Sequence, residues 1–244
     1  MDGVVGVLVK IMGDVMAFEA VLSQLQGGLI VSCQAPADSP LHDPYVIGAM
    51  AAAAVNQGAI AVRIDSPAHI AAVRERVTVP IIGLWKQVIP GSDVYITPQF
   101  HHAQAVAEAG ADVIAIDATE RSRPDGEKLA DLIPKIQSEL QKPVMADIDT
   151  LTSAQAAVTA GVDILGTTLY GYTQATQQCE PPGFELLSTL INQFSVPCIC
   201  EGGIASPPAA QQALKLGASA VVVGTAITGI DILVQRYQAA IATL

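Results

Sequence analysis

Short apolar runs that end in a polar residue recur along the chain, and they come in two kinds. One kind follows a helical pattern closed by glycine: Gly58–Arg63, Gly110–Asp117, Gly161–Gly166 and Gly217–Gly224. Glycine is the expected residue just past a helix C-terminus, where the backbone turns left-handed. The other kind enters through proline, with Val79-Pro80 leading to Leu84, Lys142-Pro143 to Asp147, and Val196-Pro197 to Glu201. Proline is tolerated at the first position of a strand, where its missing donor does little harm. The two kinds alternate. With Leu29–Gln34 counted first they make eight strands, and helical patterns fill the intervals over 44–57, 67–76, 99–109, 125–140, 151–160, 182–193, 206–216 and 229–242. Asp14 reads as the cap of an earlier helix through Gln26, stopped by Gly27-Gly28. Continuously apolar strands alternating with helices predict a parallel sheet covered on its faces. Eight such units predict an α/β fold made of a single (β/α)8 TIM barrel with a short N-terminal helix. Residues 1–20 are read as an N-terminal extension and helix start, and 21–244 as the barrel domain. An open doubly wound sheet is the alternative, and no GxGxxG after the first strand supports it.

In such a barrel the active site forms at the C-terminal ends of the strands. Those ends are Gln34, Arg63, Lys86, Asp117, Asp147, Thr167-Thr168, Glu201 and Gly224-Thr225. Lys86 closes the segment Gly83-Leu84-Trp85-Lys86, and an amine ending so apolar a run is expensive to bury unless something nearby uses it. Strands three and seven lie across the barrel from each other, so Lys86 and Glu201 are expected to meet over the mouth. A lysine serves as a base at neutral pH only if desolvation or other cations lower its pKa from about 10.4. An ion pair with Glu201 alone would do the opposite, and a structural salt bridge is the plainer alternative for this pair. Gly202-Gly203 and Gly224-Thr225 follow strands seven and eight, where backbone N–H groups commonly hold a phosphate. The loop Asp117–Gly126 carries Arg121 and Arg123; it covers an anionic or sugar ligand, or is merely solvated.

Composition narrows the partners. At 244 residues and 51% hydrophobic the chain can bury a large core, while 12 Lys+Arg against 23 Asp+Glu give a net charge of −11. Long-range attraction to nucleic acid or an anionic membrane is therefore not expected. No run reaches the roughly 18 apolar residues of a membrane span, and Asp2 ahead of Val4–Ile11 does not make a basic signal-peptide start. A soluble, cytoplasmic protein is expected. Cys33, Cys179, Cys198 and Cys200 show no metal-ligand spacing and read as free thiols, and His42, His69, His101 and His102 pair with no cysteine or carboxylate at ligand spacing. Neither a metal site nor a histidine-based triad is expected.

Several segments together resemble one known family. They are Gly28–Ala35, Gly83–Lys86, Val94-Tyr95-Ile96-Thr97-Pro98, Asp117-Ala118-Thr119 with Arg121 and Arg123-Pro124-Asp125-Gly126, Met145–Ile148, Gly166–Leu169 with Gly171-Tyr172-Thr173, Phe184–Leu187, Glu201-Gly202 and Gly224–Thr228. The ordered set is similar to the N-acetylmannosamine-6-phosphate 2-epimerases from about residue 20 almost to the C-terminus. The resemblance implies cofactor-free interconversion of N-acetylmannosamine 6-phosphate and N-acetylglucosamine 6-phosphate in amino-sugar catabolism, within sialic acid degradation, by a cytoplasmic homodimer. It implies that Lys86 moves the proton at C2, with Glu201 assisting ring opening or proton return. It further implies that Gln34, Arg63 and Asp147, joined by Asp117 and Thr167, bind substrate, and that Gly202, Gly203, Gly224 and Thr225 bind phosphate. Two positions depart from the family's usual arginines, Gly203 after Glu201-Gly202 and Gly229 after Ala226-Ile227-Thr228. Two other functions are compatible with the residues: a barrel lyase or synthase with Lys86 as Schiff-base nucleophile, or a non-catalytic sugar-phosphate-binding barrel. The apolar C-terminal segment Ile230–Leu244 suits a helix packed on a partner.

Overall fold

The computed structural model describes residues 18–242; the Asp14 cap and most of the proposed 1–20 extension lie outside them. Eight parallel strands close into one barrel in sequence order: β1 (Gly28–Cys33), β2 (Ala61–Asp65), β3 (Ile81–Leu84), β4 (Val113–Asp117), β5 (Val144–Asp147), β6 (Ile164–Gly166), β7 (Cys198–Cys200) and β8 (Ala220–Val223), with β8 paired to β1. A helical segment over residues 18–24, α1, precedes them. The outer helices are α2 (Pro44–Asn56), α3 (Pro67–Arg74), α4 (Phe100–Glu108), α5 (Leu129–Lys135), α6 (Leu151–Thr159), α7 (Phe184–Gln193), α8 (Pro207–Lys215), α9 (Thr225–Thr228) and α10 (Ile230–Ile241).

Alternation along each strand creates two cores. Val31, Cys33, Val62, Ile64, Ile81, Ile114, Ile116, Val144, Leu165, Cys198, Cys200, Val221 and Val223 pack outward against the helices. Ile30, Ala61, Ile82, Leu84, Val113, Ala115, Met145, Ile164, Ile199, Ala220 and Val222 fill the barrel, and Leu25, with Val21 and Leu22 of α1, packs against that filling. The glycines expected after helices, Gly58, Gly110, Gly161 and Gly217, take φ of 93°, 106°, 85° and 102°, a region costly for residues with a Cβ. Helix starts are built locally as well: Asp43 accepts the N–H groups of Tyr45 and Val46, Thr150 that of Ser153, and Ser206 that of Ala209.

Two elements differ from expectation. The helix expected over 125–140 is broken into a 3₁₀ turn (Pro124–Gly126), α5 and a π-turn (Ile136–Leu140). Pro134 lies inside α5 and has no N–H to continue the ladder. At the mouth, β3 stops at Leu84 instead of running to Lys86, and β3 and β4 pair only at Ile82–Val113 and Gly83–Ile114. Above that point an arm over 94–97 is inserted between them. Lys86 bridges Ile96 antiparallel, Gln87 N–H donates to Tyr95 O (2.8 Å), Thr97 N–H to Trp85 O (2.8 Å), and Asp117 N–H to Ile96 O (2.9 Å).

Gly83 explains how β3 is approached from outside. A Cβ there would lie 2.6 Å from Ala111 Cβ and 2.7 Å from Val106 Cγ1, so its absence lets α4 and the following turn close onto the strand.

Candidate active site

Arg63 is the centre of the mouth. It is the third residue of β2, points into the barrel, and is 1% exposed. Its Nη1 and Nη2 donate to the two carboxylate oxygens of Asp147 at 3.1 and 2.5 Å, a fork-on-fork pair at the end of β5. Nη1 also lies 3.1 Å from Glu201 Oε2, close enough for strong charge attraction but not aligned as a hydrogen bond. Arg63 Nε and Glu201 Oε2 are buried without hydrogen-bond partners. Burial alone would lower the guanidinium pKa, but Asp147 and Glu201 hold it raised. Glu201, just past β7, is pushed up to about 7 by burial, with Arg63 opposing and Asp147 adding to the rise.

Lys86 stands on the opposite side, two residues beyond β3 and held there by the arm. Its ammonium donates to Gln34 Oε1, and Gln34 Nε2 in turn donates to Ser32 Oγ at 2.9 Å. Loss of water draws Lys86 below the ordinary lysine range; Asp65 opposes this, Arg63 adds to it, and Glu201 and Asp147 oppose it more weakly. The side chain is still 43% exposed, so this desolvation is partial. The expected meeting of Lys86 and Glu201 is not a contact: Arg63 is the ion-pair partner of Glu201, while the carboxylate nearest Lys86 Nζ is Asp65 at 4.0 Å. Opposite strands aim both side chains at one mouth, and the guanidinium fills the space between.

The other expected residues divide. Asp117 is fully buried and satisfied by Thr119 N–H (3.0 Å), Thr119 Oγ1 (2.7 Å) and Arg121 Nη2 (2.6 Å). Arg121 also donates to Asp93 O, and Arg123 to Pro98 O, so both arginines tie the β4 loop to the loop after β3. Thr167 bonds the backbone of Glu201 in both directions, at 2.9 and 3.0 Å, while its neighbour Thr168 donates to Asp147 Oδ1 at 2.6 Å. Thr168 is therefore the hydroxyl tied to the ion cluster. Asp65 lies beyond Arg63, where the second apolar run ends in the sequence; its place two residues on, hence on the same strand face, is the signal that points to it. Tyr95 of the arm also lies near the cluster, with Asp147 and Asp117 adding to the rise that burial gives its phenol.

Gly202, Gly203, Gly224 and Thr225 line the loops after β7 and β8, and neither 202–214 nor 224–235 contains Lys, Arg or His. Side chains have no room at the two departing positions. At Gly203 (φ 70°) a Cβ would lie 2.5 Å from Pro181 Cβ and 2.9 Å from its carbonyl carbon, and at Gly229 it would lie 2.8 Å from Thr225 Cα. Polar donors here are backbone groups and hydroxyls. A cleft of about 490 Å3 lies beside the mouth, between Asp93, Glu120 and Arg121 on one side and Asp149, Thr150, Ser153 and Tyr172–Ala175 on the other. None of Arg63, Lys86, Asp147 and Glu201 lines it, so the buried charges, not this cleft, locate the chemistry. Among the described residues no group of three or more His, Cys, Asp and Glu is arranged to hold a metal.

An amine below its usual pKa, a carboxyl above its own and a fixed guanidinium around one barrel mouth suit proton transfer beside a carbonyl. The family model described as "Putative N-acetylmannosamine-6-phosphate epimerase" matches residues 47–243. The chain belongs to this NanE family. Relatives bearing the corresponding 2-epimerase name include those of Thermosynechococcus vestitus, 64% identical across 90% of this chain and 95% of that protein, and Synechococcus elongatus, 60% identical across 90% and 96%. Among solved structures, an N-acetylmannosamine-6-phosphate 2-epimerase from Clostridium perfringens superposes with a TM-score of 0.86 at 39% identity, covering 90% of this chain and 95% of that one. A thiamine phosphate pyrophosphorylase from Pyrococcus furiosus, at TM-score 0.57 and 17% identity, shares the fold alone. No helix among the described residues is long and apolar enough to cross a membrane.

Proposed function

We propose that this chain inverts C2 of N-acetylmannosamine 6-phosphate to give N-acetylglucosamine 6-phosphate, and the reverse. The reading is carried by Lys86 and the Arg63–Asp147–Glu201 cluster around one mouth, in a chain of this family. In the open-chain sugar the C1 carbonyl acidifies the C2–H. Lys86, as the neutral amine, takes that proton; the C–H electron pair becomes the C1–C2 double bond of an enolate, and the carbonyl electrons move to O1. Arg63 faces that developing charge, and its unpartnered Nε supplies a donor. A proton returned to the opposite face of C2 completes the inversion. Glu201, with its pKa near neutrality, assists ring opening or that return. Gln34 orients Lys86, Asp147 and Thr168 hold Arg63 and the sugar hydroxyls, and Gly202, Gly203, Gly224 and Thr225 receive the phosphate through backbone groups and one hydroxyl.

The exposed apolar side chains of α9 and α10, Ile227, Ile230, Val234, Tyr237 and Ile241, support a homodimer. The remaining assignment is a cytoplasmic enzyme of sialic acid degradation. Proton NMR in deuterium oxide tests the chemistry. Wild type is expected to place solvent deuterium at C2 as the epimers interconvert, and Lys86→Ala to lose exchange and epimerisation together, by at least about 10³-fold. An active Lys86→Ala variant overturns the assignment, and a borohydride-trapped sugar adduct on Lys86 replaces it with Schiff-base chemistry.

A further inference from the structure

Asp65 takes no part in these steps, yet it meets Lys86 at two points. It ends β2, two residues past Arg63 and on the same face. Its Oδ1 accepts the backbone N–H of Lys86 at 2.9 Å, and its Oδ2 lies 4.0 Å from Lys86 Nζ. One carboxylate thus spans both ends of a residue that lies past the β2–β3 ladder, which ends at Asp65 and Leu84, and that the arm holds only from the other side.

The next residue shows how that carboxylate is kept in place. Ser66 has φ 77° and ψ 145°, a backbone region that is strained for any residue with a Cβ. Such strain persists only where the surroundings over-determine it. Here Ser66 N–H donates to Leu84 O at 2.8 Å, the last carbonyl of β3, while its side chain makes no capping bond to α3. The chain turns from β2 into α3 within this one residue, and the turn stays locked to the end of the strand that leads into Lys86.

We propose that Asp65 is a positioning residue for Lys86, fixing its backbone at the barrel rim and holding its ammonium in the mouth, with the strained Ser66 turn keeping the carboxylate aimed. The proposal rests on Lys86 being the C2 base. Lys86 is also faced by Arg63 from β2, Asp147 from β5, Glu201 after β7 and the neutral Gln34 after β1; of these carboxylates Asp65 acts on it most strongly. On its other side, Asp65 O meets His69 Nδ1 of α3 at 3.0 Å, and His69 lies against His42. The carboxylate stabilises the protonated amine, so removing its charge lets Lys86 deprotonate at lower pH.

Asp65→Asn separates the two contacts, because asparagine can still accept the Lys86 N–H but carries no charge. The pH profile of kcat/KM in the C2-exchange assay is expected to move its acid limb at least about 0.5 unit toward lower pH, roughly a threefold activity ratio on that flank. Asp65→Ala, which also removes the backbone acceptor, is expected to lower kcat at least about tenfold. A profile for Asp65→Asn superimposable on wild type overturns the proposal, and does so even if Asp65→Ala fails to fold. Lys86→Ala run in the same assay separates the two readings: an active Lys86→Ala removes the base assignment, whereas an inactive one with an unmoved Asp65→Asn profile removes only the role of Asp65.

Discussion

Replacing Arg63 with methionine keeps much of the side-chain volume and removes the cation bonded to Asp147. Arg63 and Asp147 are 1% and 0% exposed, and the Glu201 side chain 13%, so the variant strands two carboxyls away from water. Breaking a buried pair by removing one partner costs about 3–5 kcal/mol. That is a large share of the roughly 5–15 kcal/mol by which domains are stable. At about 2–4 °C per kcal/mol for a chain of this size, the melting temperature should fall by about 6–20 °C. The loss also has a direction in pH. Without Arg63, the buried Glu201 carboxyl would hold its proton still more tightly in the folded chain than in the unfolded one. Its contribution is then harmless below the ordinary carboxylate range near 4 and increasingly unfavourable as pH rises from there to the raised folded value. The deficit against wild type should therefore be larger at about pH 8 than at about pH 5. Urea unfolding followed by circular dichroism at the two pH values measures it. A loss under about 1 kcal/mol, or one equal at both pH values, would mean that water already screens the cluster and that Arg63 is not its counter-charge.

Two further substitutions probe neighbouring features. Gly83→Ala should cost about 1–3 kcal/mol, because its Cβ would sit 2.6 Å from Ala111 Cβ and 2.7 Å from Val106 Cγ1; a thermal midpoint equal to wild type would contradict that packing. Glu201, raised from 4.5 to about 7 by burial, destabilises the fold as pH climbs through that interval and it ionises. Glu201→Gln should thus gain on the order of 1–3 kcal/mol relative to wild type between about pH 5 and pH 8, while slowing C2 exchange. An unchanged difference across that range would place the ionisation outside it.

The barrel was legible because each strand carries its own punctuation. Gly58, Gly110, Gly161 and Gly217 mark left-handed turns after helices, Pro80, Pro143 and Pro197 mark strand entries, and the apolar runs between them need no partner to be recognised. What stands at a strand end was legible by type, since Lys86, Arg63, Asp147 and Glu201 all reach the mouth. Which of them touch was not. Pairing depends on how far each side chain extends inward, and Arg63 reaches across to take both Asp147 and Glu201, leaving Lys86 to Gln34 and Asp65. Residues 94–97 stand out in the sequence by their resemblance, but their pairing as an arm between β3 and β4 is not legible there, for a related reason. Its single bridge, Lys86 to Ile96, carries no period of its own, so nothing in the pattern distinguished it from a loop. The π-turn after α5 was equally hidden, as a helical pattern spans Pro134 without showing where its missing donor moves the ladder.

The arm also divides its loop into a part that can vary and a part that cannot. Residues 88–91 lie beyond Gln87, with Val88 91% exposed, ahead of Ser92 and Asp93, which bond Ser122 O and accept from Arg121; lengthening a surface excursion costs little chain entropy. Residues 94–97 are ladder members on two sides, toward Trp85–Gln87 and toward Asp117. A one-residue slip there would exchange inward for outward side chains and carry Lys86 with it. The excursion is thus a natural place to graft a tag, a spectroscopic label or a second recognition loop within reach of the mouth, provided Ser92 and Asp93 keep their bonds to the β4 loop and residues 94–97 keep their register.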